Sequence, residues 1–356
     1  MVRVGVTARG LRAATNRRVL GTAVALLLAA FAVGCDRDPA RRAAMMPEQT
    51  VVVFADGPDW AVVEEPLREL FEEEIETPQS EKLYNVRHER VADFDFFSQF
   101  GMILIVGTQD RVGQALGLLG PAQRDQILAA ARRDEDRWLV TDHDRWAHPQ
   151  LVGVLTAPNR VQLESRIRVR GAALRATYDA FVHDVVAARI LARRQSDEEQ
   201  RIAAETGIEM AIPARWSIRE YSPEVPRVAI WKRTAKEDRQ LLVQAFPGAS
   251  TLGLRERCRV WRNQVVSEAY DGDWVREEGL ETSDATFHGR PGVRLRGLWE
   301  NQGYVMGGPF ETWCIPDPES RRTLLIDLSV YAPGESKMEG LRELQTLADR
   351  VRCSAR

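Results

Sequence analysis

The chain has 356 residues, enough for about two domains of ~150 residues each. Lys and Arg number 49 against 52 Asp and Glu, so the formal net charge is −3. This mildly acidic balance argues against a nucleic-acid-binding protein, which needs a basic face. The apolar content of 44% is sufficient for a packed core and excludes a wholly disordered chain.

Residues 1–34 have the pattern of an export signal, with several arginines and no acidic residue before an uncharged run, Val19–Gly34. This run is shorter than the ~20 residues that span a bilayer. Ala32-Val33-Gly34-Cys35 resembles the lipobox of bacterial lipoproteins, which implies cleavage after Gly34 and acylation of Cys35. We therefore predict a lipoprotein signal peptide over residues 1–34 and lipidation of Cys35. An ordinary signal peptide with an incidental cysteine is the alternative.

Residues 35–49 are polar and predict a flexible tether from the membrane to a folded body. The body begins with an N-terminal lobe over residues 50–157. Apolar runs at Thr50–Ala55 and Met102–Val106 predict core strands. The other predicted elements of this lobe are a helix at 60–75, a strand at 85–91, a helix at 121–133 and paired strands at 137–141 and 151–156.

A connecting helical segment is predicted over residues 158–206, as one long helix or two, because residues 160–205 contain no proline. Gly207 is the predicted stop. A C-terminal lobe follows over residues 207–356. Its predicted elements are strands at 212–216, 228–232 and 240–246, a helix at 251–266, a hairpin of strands 293–300 and 304–314, a strand at 324–331 and a helix at 336–351.

These elements predict an α+β fold rather than alternating βαβ units. We expect two lobes, each a mostly antiparallel sheet with helices packed on it, joined by a long helical segment.

The C-terminal half contains distinctive motifs: Arg296-Gly297-Leu298-Trp299, Met306-Gly307-Gly308-Pro309-Phe310 and Val330-Tyr331-Ala332-Pro333. With Val51–Trp60 and Gly101–Val106 in the first half, they resemble the lipoprotein family known as domain of unknown function 4837, found mainly in Bacteroidetes-type bacteria. The resemblance implies a cell-envelope lipoprotein. It implies no activity, no cofactor and no catalytic residues.

Three cysteines remain beyond the anchor: Cys258, Cys314 and Cys353. An exported protein can form disulfides, and three cysteines allow three pairings with one thiol left over. We favour Cys314 with Cys353, and three buried thiols are the alternative. Cys258 lies among several arginines that would lower its pKa, which is a weak indication of a nucleophile.

Other polar groups have a structural explanation that outweighs a functional one. Asp142-His143-Asp144 with His148 suggests a metal site, but a polar bend between strands is usually solvated. His183 is expected on a helix surface. Gly307-Gly308-Pro309 lacks the Lys-Ser/Thr of a phosphate loop and indicates a tight crossing in a sheet. The acidic run Glu64–Glu76 is expected to be a solvated helix face. We predict no metal and no cofactor.

The sequence thus favours a non-catalytic lipoprotein of the cell envelope, anchored to the inner or outer membrane by lipid, with a periplasmic body. That body would bind a protein, peptide or glycan. The alternative is an unrecognised hydrolase or transferase with its site between the lobes, and a third possibility is a structural spacer. A deep cleft with converging Asp, His or Arg side chains would favour the enzyme, and a flat apolar patch would favour the binding module.

Overall fold

The computed structural model describes residues 42–45, 49–75, 77, 79–133 and 135–354. The predicted signal peptide, Cys35 and most of the predicted tether lie outside these residues. Within the described part of the chain, no helix is both long and apolar enough to cross a membrane.

The first lobe contains a sheet of five strands. They are β1 (Thr50–Ala55), β2 (Asn85–Glu89), β3 (Met102–Thr108), β4 (Leu139–His143) and β5 (Leu151–Ala157). Their order is β2-β1-β3-β5-β4, with β4 antiparallel to β5 and the other neighbours parallel. The predicted pairing of β4 with β5 is confirmed, but the prediction of a mostly antiparallel sheet is wrong for this lobe.

The parallel pairing follows from burial of the sheet on both faces. The main helices here are α1 (Gly57–Phe71), α2 (Pro121–Arg133) and α3 (Arg160–Ile190). α1 and α3 pack on one face, and α2 packs on the other with the short helices Phe94–Phe97 and Gln114–Gly117. In the three central strands β1, β3 and β5, consecutive residues are buried almost without exception, which is typical of parallel strands covered by helices.

The second lobe contains a sheet of eight antiparallel strands, which confirms the predicted antiparallel pairing in this lobe. They are β6 (Ser217–Ser222), β7 (Arg227–Arg233), β8 (Asp238–Pro247), β9 (Asp273–Val275), β10 (Glu281–Phe287), β11 (Arg290–Asn301), β12 (Gly307–Asp317) and β13 (Arg322–Tyr331). The predicted strand at 212–216 is wrong, because the first strand of this sheet begins at Ser217. The order is β6-β7-β8-β13-β12-β11-β9, and β10 also pairs with β11.

Three more α-helices follow in the chain: α4 (Ser196–Thr206), α5 (Leu254–Ala269) and α6 (Met338–Ala348). Short 3-10 helices lie at Val91–Asp93 and Glu135–Trp138. α5 and α6 pack on opposite faces of the second sheet. The predicted connecting helix is two helices, α3 and α4, and Gly207 ends α4 in the left-handed conformation with φ of 72°. Two-residue strands lie at Arg42–Ala43, Glu74–Ile75, Glu81–Lys82, Ala147–His148, Ile208–Glu209 and Arg352–Cys353.

The two lobes lie within one compact unit that begins at Ala43. The Glu81 carboxylate of the first lobe accepts a hydrogen bond of 3.0 Å from the backbone N–H of Lys337. Arg342 on α6 donates to the carbonyl oxygen of Leu83 at 2.8 Å. The mixed α+β class is confirmed, and the lobes are held together by specific polar contacts.

The disulfide joins Cys258 on α5 to Cys314 on β12, with a Cα–Cα distance of 5.8 Å. This contradicts the predicted pairing of Cys314 with Cys353. Cys314 lies in the core beneath α5, whereas Cys353 packs against the core on the opposite face of the sheet. The sheet therefore separates the two residues that the prediction paired. Cys258 is fully buried in the bridge, so it is not a free nucleophile.

Candidate functional site

A cleft of about 410 Å³ lies between the two lobes, within the usual size range of small-ligand pockets. Its floor is the face of β10–β12 that α5 does not cover. Its walls come from α3, from α6 and from the segment around Glu73–Tyr84 of the first lobe. Both lobes and the helix that links them therefore contribute to one concave site.

The floor arises from the alternation of side chains along β11. Val293 and Leu295 are buried in the core beneath α5, so Arg294 and Arg296 point to the opposite face. Directly across on β12, Trp313 pairs with Arg294 and Glu311 pairs with Arg296. A strand in the middle of a sheet thus presents two guanidinium groups to the cleft.

Glu311 is fully engaged by neighbouring donors. Its carboxylate accepts from Arg296 at 3.1 Å, from the indole N–H of Trp313 at 2.6 Å and from Gln345 on α6 at 3.2 Å. Its charge is therefore already compensated within the cleft.

One wall is a stripe on α3, formed by Arg175, Asp179 and His183 at a spacing of four residues. Arg175 pairs with Glu73 and lies 3.5 Å from Asp179. Asp179 also accepts a hydrogen bond of 2.6 Å from the Tyr84 hydroxyl. The acidic groups of this wall, like Glu311, already have partners.

His183 is paired with Asp349, which follows α6. Its Nε2 lies 2.9 Å from the Asp349 carboxylate. This neighbour raises the pKa of His183 above its usual value, against the opposing effect of partial burial. The sequence indicated a surface histidine, but the structure places it on the cleft wall.

Arg294 differs from the other cations of the cleft. Its guanidinium lies over the Trp313 ring at 5.4 Å, and its Nε is shielded from solvent. Among the described residues, Nε has no hydrogen-bond acceptor and no carboxylate lies within ion-pair distance of the side chain. Burial and the nearby charge of Arg296 lower the pKa of Arg294. The site therefore contains one positive charge without a counter-ion.

The histidines singled out as metal candidates lie elsewhere. His143, Asp144 and His148 line a separate groove along α3, and His148 Nδ1 is 2.8 Å from the Asp144 carboxylate. Across the described ranges, no group of three or more His, Cys, Asp or Glu side chains is placed to hold a metal ion.

The glycine motif of the second lobe is part of the sheet. Gly307 and Gly308 begin β12, and a Cβ added at Gly308 would overlap the carbonyl oxygen of Val330. Their role is close backbone approach, as the sequence indicated. Together with Trp299 and Tyr331 they line a second cleft of about 570 Å³, so three of the distinctive motifs meet at one place.

The geometry defines a two-lobed α+β protein with a charged cleft between its lobes. Residues 195–349 match the family described as Domain of unknown function (DUF4837), which confirms the resemblance for the second lobe. Residues 45–189 match a second family, described as Domain of unknown function (DUF8532), so the match to the first family does not extend to Val51–Trp60 and Gly101–Val106. No curated protein matches the chain.

Part of the chain is similar to several solved structures. Saccharomyces cerevisiae Ran-binding protein Mog1p has 10% identity and a TM-score of 0.30, over 41% of this chain and 90% of that one. LpqN, involved in cell envelope biogenesis of Mycobacterium tuberculosis, has 15% identity and a TM-score of 0.26, over 41% and 83%. A Bacteroides thetaiotaomicron protein has 11% identity and a TM-score of 0.23, over 41% and 45%. Similarities this weak carry no argument about function.

Proposed function

We propose that this protein is a lipid-anchored component of the cell envelope, held to a membrane through Cys35, whose body binds a partner in the cleft between the lobes. The partner would be a peptide, a protein segment or a glycan. One observation carries the proposal: at the floor of the cleft, Arg294 is half-buried with its Nε shielded from solvent, and no carboxylate of the described residues pairs with it. Leaving a solvent-shielded N–H donor without an acceptor is costly, so the persistence of this one on Arg294 favours a binding role.

Membrane attachment is tested by fractionation. Full-length protein should be found in the membrane fraction, and Cys35→Ala should move it to the soluble fraction or leave an uncleaved precursor. Mass spectrometry should detect acyl chains on the wild-type protein. A membrane-bound Cys35→Ala protein that has been cleaved would contradict the lipid anchor.

Binding in the cleft is tested by photo-cross-linking in native membranes. A benzoylphenylalanine at Gln345 lies on the cleft wall, and one at Val169 lies on the exposed side of α3, where the side chain is 78% exposed. We expect a discrete product from position 345 that is absent from position 169 and is lost on Arg294→Glu. Equal products from both positions, or no product at 345, would contradict a cleft site.

The alternative function, hydrolysis or group transfer, is favoured by His183. A histidine that is paired with a carboxylate and faces a cleft is suited to general acid–base chemistry. Incubation of the protein with envelope peptide and glycan fractions, followed by mass spectrometry, tests this alternative. Product formation that is lost in His183→Gln would favour the enzyme over the binding module.

A further inference from the structure

The charges that line the cleft define the charge of its ligand. The cations are Arg175, Arg294, Arg296 and Arg342, with His183 as a fifth when it is protonated, and the anions are Glu73, Asp179, Glu311 and Asp349. All four carboxylates have a cationic or hydrogen-bonding partner within the cleft. When His183 is protonated, the described lining residues carry one more positive than negative charge, and Arg294 is the cation among them that no carboxylate pairs with.

A monoanion matches this balance better than a dianion. One negative charge on the ligand would neutralise Arg294. A second negative charge on the ligand would lie close to Glu311 or Glu73. Both carboxylates already have arginine partners, so they would repel that charge. The flat guanidinium also matches a planar carboxylate, to which arginine donates two parallel hydrogen bonds.

The rest of the lining indicates an apolar body on the same ligand. The lining includes these aliphatic, aromatic and thioether side chains: Ile75, Leu83, Val182, Phe287, Leu328 and Met338. They come from both lobes. A ligand that neutralises Arg294 and fills the remaining space would bury apolar surface against them.

We propose that the cleft binds an organic monocarboxylate with an apolar body, and that Arg294 binds its carboxylate. The carboxylate would belong either to a free small acid or to the C-terminus of a peptide that ends in an apolar residue. This inference rests on the proposed cleft-binding function and names the chemical class of its ligand.

The test is isothermal titration calorimetry on full-length lipidated protein in lipid nanodiscs, with empty nanodiscs as the blank. The probes are N-acetyl-phenylalanine, its amide, N-acetyl-Ala-Ala-Phe with a free carboxylate, and inorganic phosphate. We expect saturable binding of the carboxylates, with the amide at least about tenfold weaker because it lacks the charge-assisted hydrogen bonds. Tighter binding of the tripeptide than of the amino acid would identify a peptide C-terminus as the source.

The variants are Arg294→Gln, Arg294→Lys and the matched control Arg255→Gln. Arg255 lies on α5 outside the cleft, where it pairs with Asp284 at 2.7 Å. We expect about tenfold or greater loss of carboxylate affinity in Arg294→Gln, a smaller loss in Arg294→Lys, which keeps the charge, and no change in Arg255→Gln. Circular dichroism and thermal unfolding establish that each variant is folded.

Three results would overturn the inference. They are equal affinity for the acid and its amide, tighter binding of phosphate than of the carboxylates, or no binding of the carboxylates at ligand concentrations up to tens of millimolar. These outcomes are distinct from failure of the proposed function. A cross-link at Gln345 together with any of them would keep the cleft as a binding site and reject the monocarboxylate.

Discussion

Glu343 on α6 is a buried carboxylate that joins α6 to the second sheet and to the end of α3. Its side chain is 3% exposed, and its carboxylate faces three cations from three different elements. Arg239 on β8 lies 2.5 Å away, Lys232 on β7 lies 3.1 Å away and Arg189 at the end of α3 lies 3.3 Å away. We therefore predict that Glu343→Gln destabilises the whole body.

The magnitude follows from the charge left behind. The Arg239 side chain is also 3% exposed, so removal of Glu343 leaves a buried guanidinium with its main counter-ion gone. Breaking one partner of a buried ion pair typically costs ~3–5 kcal/mol. After the substitution, Arg239 still pairs with Glu237 at 2.6 Å. Its Nη1 also lacks hydrogen-bond geometry toward Glu343. The expected cost therefore lies at the lower end of this range. We expect a loss of about 3 kcal/mol in the free energy of unfolding.

Urea denaturation, followed by tryptophan fluorescence, measures this loss. Glu335→Gln is the control, because Glu335 also pairs with a lysine, Lys236 at 2.6 Å, but is solvent-exposed. Little change is expected in the control, since exposed ion pairs contribute little. A Glu343→Gln protein as stable as the Glu335→Gln protein would refute the reasoning.

Three further predictions concern the second lobe. Burial raises the pKa of Asp273 to about 6, so its contribution to stability is present below its unfolded pKa of 3.8 and is lost as the pH rises through 6. In the wild-type protein, this titration should lower the unfolding free energy by up to about 3 kcal/mol between pH 4 and pH 8. Asp273→Asn should abolish that part of the pH dependence, as measured by urea denaturation at each pH. Cys258→Ser should cost ~2–4 kcal/mol, and the double change with Cys314→Ser should cost no more than the larger single change, because both break one bridge. Gly308→Ala should lower the unfolding temperature well below that of Gly303→Ala, whose added Cβ would meet only an ordinary contact at 3.6 Å.

The sequence predicted most elements of this fold because each carries a local signal. The helix at 121–133 and the hairpin of β11 and β12 show clear periodicity and turn chemistry. The pairing direction predicted for the first sheet is wrong, although Val51–Phe54 and Met102–Val106 are apolar at every position. Such runs need cover on both faces, which antiparallel sheets with one exposed face do not provide.

The cleft could be predicted in part. Alternation along β11 places Arg294 and Arg296 opposite the buried Val293 and Leu295, so the charged face of the strand is readable from sequence. The residues that lie across from that face cannot be predicted from sequence. Arg175 and His183 belong to a helix more than a hundred residues earlier in the chain. No local pattern records that packing.

The contact between the lobes and the ligand site are physically linked. The cleft exists because Glu343, Arg342 and Glu81 hold α6 against the first lobe. A ligand that contacts Arg294 and the α3 wall together binds the folded arrangement and not the unfolded chain. At ten times its Kd, such a ligand adds about 1.4 kcal/mol of stability. N-acetyl-phenylalanine should therefore raise the unfolding free energy of Glu343→Gln, and it should fail to do so once Arg294→Gln is added. If the ligand still stabilises the protein that carries Arg294→Gln, the ligand binds outside the cleft.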